Sequence, residues 1–558
     1  MITNEMVVAY LECPRKAYLI TKNEKATITD FELLKRDLGG VIRKKLLQKF
    51  STNCDDHETL ITRNILRQQR DLIQNAKILS GDFDFTFDAL QKVSEPSPLG
   101  QFSYIPIHAT PRQRPSKDDK ILIATLSIPL SDIQGMKPEY GRVVSGSQLS
   151  SSKIGLKNFY RRAESVLSGL SHQNSLASVP EPRLNRNCLS CRFHQSCRVY
   201  AVDKDHLSLL GGINEKQIAR YESKGIFTVH QLSYTFRPRR NRKNNQHLRR
   251  RAFSPELKAL SIREQKIHVL EIPDLPATPT EIYFDIEGIP DESFYYLIGL
   301  IVINDDKKKE QYFWADNKED QAAIFAGFLQ TISQYREYTL FHYGSYEMTA
   351  LKRMSKKVAD EDSDRVSTAL ASCCNLLSVL YSNVYLPTYT NGLKEVGAYL
   401  GFNWSATNAT GPQSIVWRKR WEQTGHNAYK HKLITYNNED CRALRRVKAL
   451  LDSIVATTPK VSETASSIVH VQTLAKPSSL KFQSREFALP EIERIRDVAY
   501  FDYQRDRVHA RTDKNLRRKG ERSVSFRKTV HKPNKKISIL VKVCPRCKRR
   551  EIEASKAI

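Results

Sequence analysis

The chain has 558 residues, with 89 Lys or Arg against 61 Asp or Glu, a formal net charge of +28. At roughly 100–200 residues per domain it holds about three to five domains, and a hydrophobic fraction of 40% excludes a wholly disordered polymer. No uncharged apolar run reaches the roughly 18 residues of a membrane span, and MITNEMVVAYLECPRK lacks a basic start followed by an apolar core, so a cytoplasmic protein is expected, its charge suited to nucleic acid ahead of an anionic membrane surface.

In chain order, FELLKRDLGGVIRKKLLQKF (31–50) has helical spacing of its apolar residues, with Gly39 and Gly40 as weak points. DFDFTFDAL (82–90) alternates as a strand, and QFSYIPIHA (101–109) is a second strand candidate. A proline-rich charged stretch, PRQRPSKDDK, leads into the apolar run ILIATLSIPL (121–130). Cys188, Cys191 and Cys197 form C-x2-C-x5-C, and Cys544 and Cys547 form C-x2-C; both are metal-ligand spacings in a chain with too few cysteines for a disulfide scaffold. Cys54, Cys373, Cys374 and Cys441 lack such spacing and read as small buried thiols. Residues 206–236 read as two short helices with tight bends at Gly211-Gly212 and Gly225. This segment resembles a helix–hairpin–helix module, whose turn amides hold a phosphate; a plain helical linker is the alternative. RPRRNRKNNQHLRRR (237–251) has no acid and reads as a basic connector, with Arg239 and Arg240 as phosphate-contact candidates. EIPDLPATPTE (271–281) closes the linker.

From residue 281 the pattern becomes strand EIYFDIEG, strand SFYYLIGLIVI, strand QYFWAD, helix KEDQAAIFAGFLQTISQY, strand TLFHYG and helix SYEMTALKRM. This β-β-β-α-β-α order predicts a layered α/β domain, with KLITYNNEDCRALRRVKALL as a later long helix.

Four acids stand out on these elements. Asp285 and Glu287, two apart on the first strand, project to one side of the sheet. Glu347 lies one turn into the helix after the fourth strand, and Tyr436 and Asp440 share a face of the long helix. Carboxylates gathered in this way suit a pair of Mg2+ or Mn2+ ions about 3.5–4 Å apart, as two-metal phosphoryl chemistry requires, with a tyrosine beside the last acid to orient water.

FDIEG, FHYGSYE and Y-x3-D, in this order, resemble the three motifs of the ribonuclease-H-like, DEDD-type 3′–5′ exonucleases, the tyrosine spacing matching the DEDDy subtype. Glu347 departs from the Asp usual in that superfamily. YLPTYTNGLKEVGAYLGFNW, GPQSIVWRKRWE and LITYNNEDCRAL are similar to the ribonuclease-H-like domain of predicted RecB-family nucleases. The resemblance implies that Asp285, Glu287, Glu347 and Asp440 hold two metal ions and that Tyr436 directs water. Lys394, Arg418, Lys419 and Arg420 are then phosphate-contact candidates. Trp404 and Trp417 suit either base stacking or core packing.

Cys13, in LECPRKAYL, together with the triplet at 188–197 resembles the iron–sulfur RecB-like nucleases, with a PD-(D/E)xK fold. The resemblance implies that four thiolates bind a 4Fe–4S cluster, with Zn2+ as the rival ion. Asp88 matches the family's first acid, but His108 and Thr110 stand where Glu and Lys are needed and Arg43 replaces the upstream histidine. The expectation is a degenerate nuclease domain used for binding or docking, with Asp82, Asp84 and Asp88 as ordinary surface or turn acids.

Residues 505–558 carry 19 Lys and Arg against 5 Asp and Glu. CPRCKRR reads as half of a zinc ribbon, with His531 as a third ligand candidate, or as an unligated basic tail. The expected organisation is a PD-(D/E)xK-like domain at 1–200, a helix–hairpin–helix-like module and connector at 205–270, a ribonuclease-H-like mixed sheet with flanking helices at 275–455, and a basic tail at 456–558. The expected function is a metal-dependent nuclease of DNA or RNA, a 3′–5′ exonuclease, with no membrane association and a helicase or mobile-element protein as a partner. Its rivals are a non-catalytic nucleic-acid-binding protein and an endonuclease cutting at Asp88.

Overall fold

The computed structural model describes residues 1–50, 58–174, 179–238, 253–305, 307–357, 362–407, 409–456, 467–474, 536–543 and 550–557. The candidate residues Arg239, Arg240, His531, Cys544 and Cys547 lie outside the described residues. No helix among the described residues is long and apolar enough to cross a membrane.

Near the N-terminus a seven-stranded mixed sheet runs in the order Thr59–Leu60, Leu72–Ser80, Phe83–Val93, Ser103–Thr110, Tyr140–Ser145, Ser150–Gly155, with Ile2–Thr3 pairing in parallel to Phe83–Val93. The run ILIATLSIPL is the body of a helix, Lys117–Gln134. Ser116 and Asp119 cap it reciprocally, and Gly135, at φ +77°, stops it. Its Ile121, Leu122, Leu126 and Leu130 pack on the sheet with Ile73, Phe85 and Phe87. The helix at Asp30–Phe50 runs unbroken through Gly39 and Gly40.

Residues 206–236 contain two short helices, Glu215–Glu222 and Val229–Ser233. The amide of Gly211 donates to the carbonyl of Tyr389, and that of Gly225 to Glu222.

The C-terminal half is built on a five-stranded sheet: β1 (Thr280–Ile289), β2 (Phe294–Asn304), β3 (Lys307–Trp314), β4 (Tyr338–His342) and β5 (Cys373–Asn375). Their order is β3-β2-β1-β4-β5, with β3 and β2, and β2 and β1, antiparallel to one another and β4 and β5 added in parallel beyond β1. Strand alternation divides β1 between two layers. Ile282, Phe284 and Ile286 pack with Phe325, Phe328 and Leu329 of helix α1 (Gln321–Ile332) on one face. Tyr283 packs with Ile301, Phe341, Cys441, Leu444 and Val447 on the other, under the 30-residue helix α4 (Asn427–Ala456). Asp285 and Glu287 share the parity of Tyr283 and so face α4. Helices α2 (Tyr346–Met354), after β4, and α3 (Gly411–Thr424), before α4, close the remaining sides.

Candidate active site

The acids of β1 and α4 converge. One carboxylate oxygen from each of Asp285, Glu287 and Asp440 lies within 4.8 Å of the other two. Asn437, one turn before Asp440, donates its side-chain amide to the Asp285 carbonyl at 3.1 Å and carboxylate at 2.7 Å. This approach requires Gly299, the β2 residue opposite Asp285, because a Cβ there would stand 1.8 Å from Asn437 Oδ1. Ser414 of α3 donates to Glu287 at 2.8 Å, and the Trp404 indole donates to Asp440 at 2.7 Å.

These contacts leave the acids short of positive charge. Burial, then the charges of Glu287, Asp440 and Glu347, push the Asp285 carboxyl well above its ordinary range. Burial and the charges of Asp440 and Glu347 outweigh the Ser414 hydrogen bond and raise Glu287 to about 8. Burial raises Asp440 to about 6 against the opposing pull of Lys394, Trp404 and Tyr436. Burial also raises Tyr436, which is hydrogen-bonded to Asp440 and remains a neutral phenol. Three crowded carboxyls that resist ionisation are what a divalent cation corrects, so this donor set fits Mg2+ or Mn2+.

Glu347 is 5% exposed in the first turn of α2, and its charge reaches both Asp285 and Glu287. Lys394 places its ammonium 4.5 Å from the Tyr436 ring centre and 4.8 Å from that of Trp404, at the edge of the acid cluster. Trp404, half-buried, holds a carboxylate through its indole N–H. Trp417 is core, 3% exposed.

The basic run of α3 corrects an expectation. Arg418 is fully buried, donating to the carbonyls of Ala315 (2.9 Å) and Asp316 (2.5 Å) and to Glu422 (2.8 Å), among the rings of Phe294, Tyr296, Trp314 and Trp421. Its planar fork satisfies the chain after β3, and no phosphate can reach it. Lys419 pairs with Glu292 and Glu422, and Arg420 with Asp30.

Residues 282–452 match the family model RNase_H_2, of the RNase H superfamily. This region therefore carries an RNase H-like domain, which points to nuclease-type chemistry on nucleic acid and to divalent metal. The match spans all five acidic and phenolic residues of the cluster. No curated protein matches the chain. Sequence reasoning missed Asn437, Ser414 and the indole donor of Trp404; Asn437 alone carried a signal, its i,i+3 spacing from Asp440.

The N-terminal acid is in a different state. Asp88 accepts from the Ala109 amide at 2.6 Å, lies 3.2 Å from His108 Nδ1 and 3.2 Å from Arg43 Nε. Burial opposes ionisation, but His108, Ala109 and Arg43 outweigh it and hold the carboxyl below its ordinary value. Asp88 is therefore an internal ion-pair residue, not the surface or turn acid expected; Asp82 is exposed, and Asp84 pairs with Lys77.

Cys13, Cys188, Cys191 and Cys197 line one pocket. Cys13 caps the joint between helices Asn4–Glu12 and Pro14–Thr21, and the side chains of Asn185 and Asn187 both donate to the Glu12 carbonyl, fastening the two ends of the region together. Burial raises the thiols of Cys188 and Cys197 and takes Cys191 to about 11.

Proposed function

We propose that the protein is a metal-dependent nuclease that degrades DNA or RNA from the 3′ end at the RNase H-like domain. The observation that carries this reading is the convergence of half-buried Asp285 with buried Glu287 and Asp440, none with a cationic partner in direct contact among the described residues. Two ions held by these residues and Glu347 would activate water and stabilise the leaving oxygen. Asn437, Ser414 and Trp404 hold the three carboxylates in orientation. Tyr436, a neutral phenol anchored on Asp440, has a lone pair free to position a water. Lys394 supplies a cation at the rim for a substrate phosphate.

The four-cysteine pocket supports a 4Fe–4S cluster in a RecB-like, PD-(D/E)xK-type N-terminal domain. Zn2+ on the same four thiolates is the rival occupant. The pairing of Asp88 with Arg43 and His108 leaves that domain a docking role, beside a helicase or mobile-element partner. The described residues leave the zinc ribbon at Cys544 and Cys547 as a proposal from sequence.

The test is degradation of 5′- and 3′-labelled DNA and RNA strands in Mg2+, Mn2+ and chelator. Stepwise metal-dependent shortening by the wild type, lost in Asp285→Ala/Glu287→Ala, is expected. Binding without shortening would leave a non-catalytic nucleic-acid-binding protein.

A further inference from the structure

Beside the acid cluster lies a second pair of ligand-type atoms. β4 ends on His342; Gly344, at φ +113° with its amide bonded to Asn375 Oδ1 at 3.0 Å, turns the chain tightly into α2, and Glu347 falls in the first helical turn. The turn brings His342 Nδ1 to 3.5 Å from Glu347 Oε2, with the two side chains 2% and 6% exposed. Among the described residues neither atom has a hydrogen-bond partner. A buried polar atom left unpaired costs about 1–3 kcal/mol, so two facing each other mark a place where a third species belongs. Their separation exceeds the usual hydrogen-bond range of about 2.7–3.2 Å. It suits two ligands of one cation, since atoms each about 2.1 Å from an ion stand about 3.0–3.5 Å apart. The charge of Glu347 also reaches Asp285 and Glu287.

We propose that His342 Nδ1 and Glu347 Oε2 ligate one cation beside the acid cluster, giving that position a nitrogen ligand and a preference for a first-row transition ion such as Mn2+ over Mg2+. The proposal rests on the nuclease reading and deepens it. Mg2+ takes oxygen ligands and keeps its waters, whereas imidazole nitrogen suits transition ions. Phe284 packs against the imidazole, 5.8 Å between ring centres, and restricts its rotation.

The test is pulsed electron paramagnetic resonance of Mn2+ added to the metal-free full-length protein, with natural-abundance and nitrogen-15 histidine, alongside Mn2+ and Mg2+ titrations. The wild type is expected to show histidine nitrogen coupling to Mn2+ that changes with the label and disappears in His342→Gln. Mn2+ affinity in that variant should fall at least about tenfold, with Mg2+ affinity nearly unchanged. Mn2+ bound without histidine coupling, or with coupling that survives in His342→Gln, overturns the inference and leaves the nuclease reading standing. Failure of the wild type to bind Mn2+ at all overturns both. Should His342→Gln not fold, the labelled wild type still decides, since absence of histidine coupling there is fatal to the proposal.

Discussion

Asp88 and Asp285 both lie on strands of mixed sheets and both are withdrawn from bulk water, yet their carboxyls shift in opposite directions. Around Asp88 the chain supplies Arg43, His108 and a backbone amide. Around Asp285 it supplies two more acids within ligand distance and, as a direct donor, the neutral amide of Asn437. The first centre is internally neutralised and needs nothing further. The second is incomplete without a cation. The difference teaches that an acid on a strand is informative only through its partners: carboxylates that the fold itself satisfies serve structure, and those it leaves crowded wait for a ligand.

The comparison is most easily broken by exchanging which centre is damaged. Asp285→Ala/Glu287→Ala should lower nuclease turnover by at least about a hundredfold while the protein stays folded, measured by single-turnover strand shortening and circular dichroism. Asp88→Ala should do the reverse: turnover within about twofold of wild type, but stability lowered by about 1–3 kcal/mol in denaturant unfolding, because a half-buried histidine and a part-buried guanidinium lose their partner.

A titration sharpens the contrast. Glu287 and Asp440 have folded-state values raised to about 8 and about 6 from ordinary values near 4.5 and 3.8. The metal-free folded state therefore holds more protons than the unfolded chain through this window. The stability these groups contribute is full below their unfolded values and is lost as pH rises through about 6 and then about 8. Divalent metal must displace the same protons, so Mn2+ affinity should rise across pH 6–8 with proton release, read by calorimetry in buffers of different ionisation enthalpy. Asp88 carries the opposite sign: its contribution is present above its unfolded value near 3.8 and is lost as pH falls through its lower folded value.

The smallest expected effect is at Trp404→Phe, which keeps the ring and removes the indole donor to Asp440. Turnover should fall about tenfold, with little change in substrate KM, on the scale of one hydrogen bond to a charged group.

Much of the C-terminal sheet was legible because its signals are local. Alternation in EIYFDIEG and the apolar run of SFYYLIGLIVI specify β1 and β2, and the i,i+4 spacing of Tyr436 and Asp440 specifies one face of α4. The groups that orient the acids were not legible, because Ser414 and Trp404 reach them from segments more than 30 residues away in sequence. Arg418 was misread because WRKRW has the composition of a phosphate-binding run. Helical spacing instead turns Arg418 inward beside Trp421, while Lys419 and Arg420 remain partly exposed. Asp88 was misjudged because its neutralising partners come from a helix 45 residues earlier and a strand 20 residues later.

The most direct measurement sets both centres side by side: 3′-end shortening of a 5′-labelled strand in Mn2+ by the wild type, by Asp285→Ala/Glu287→Ala and by Asp88→Ala. Shortening by the wild type and Asp88→Ala, with none by the double variant, is the expected result. Shortening that persists in the double variant and vanishes in Asp88→Ala would contradict the account and move the chemistry to the N-terminal sheet.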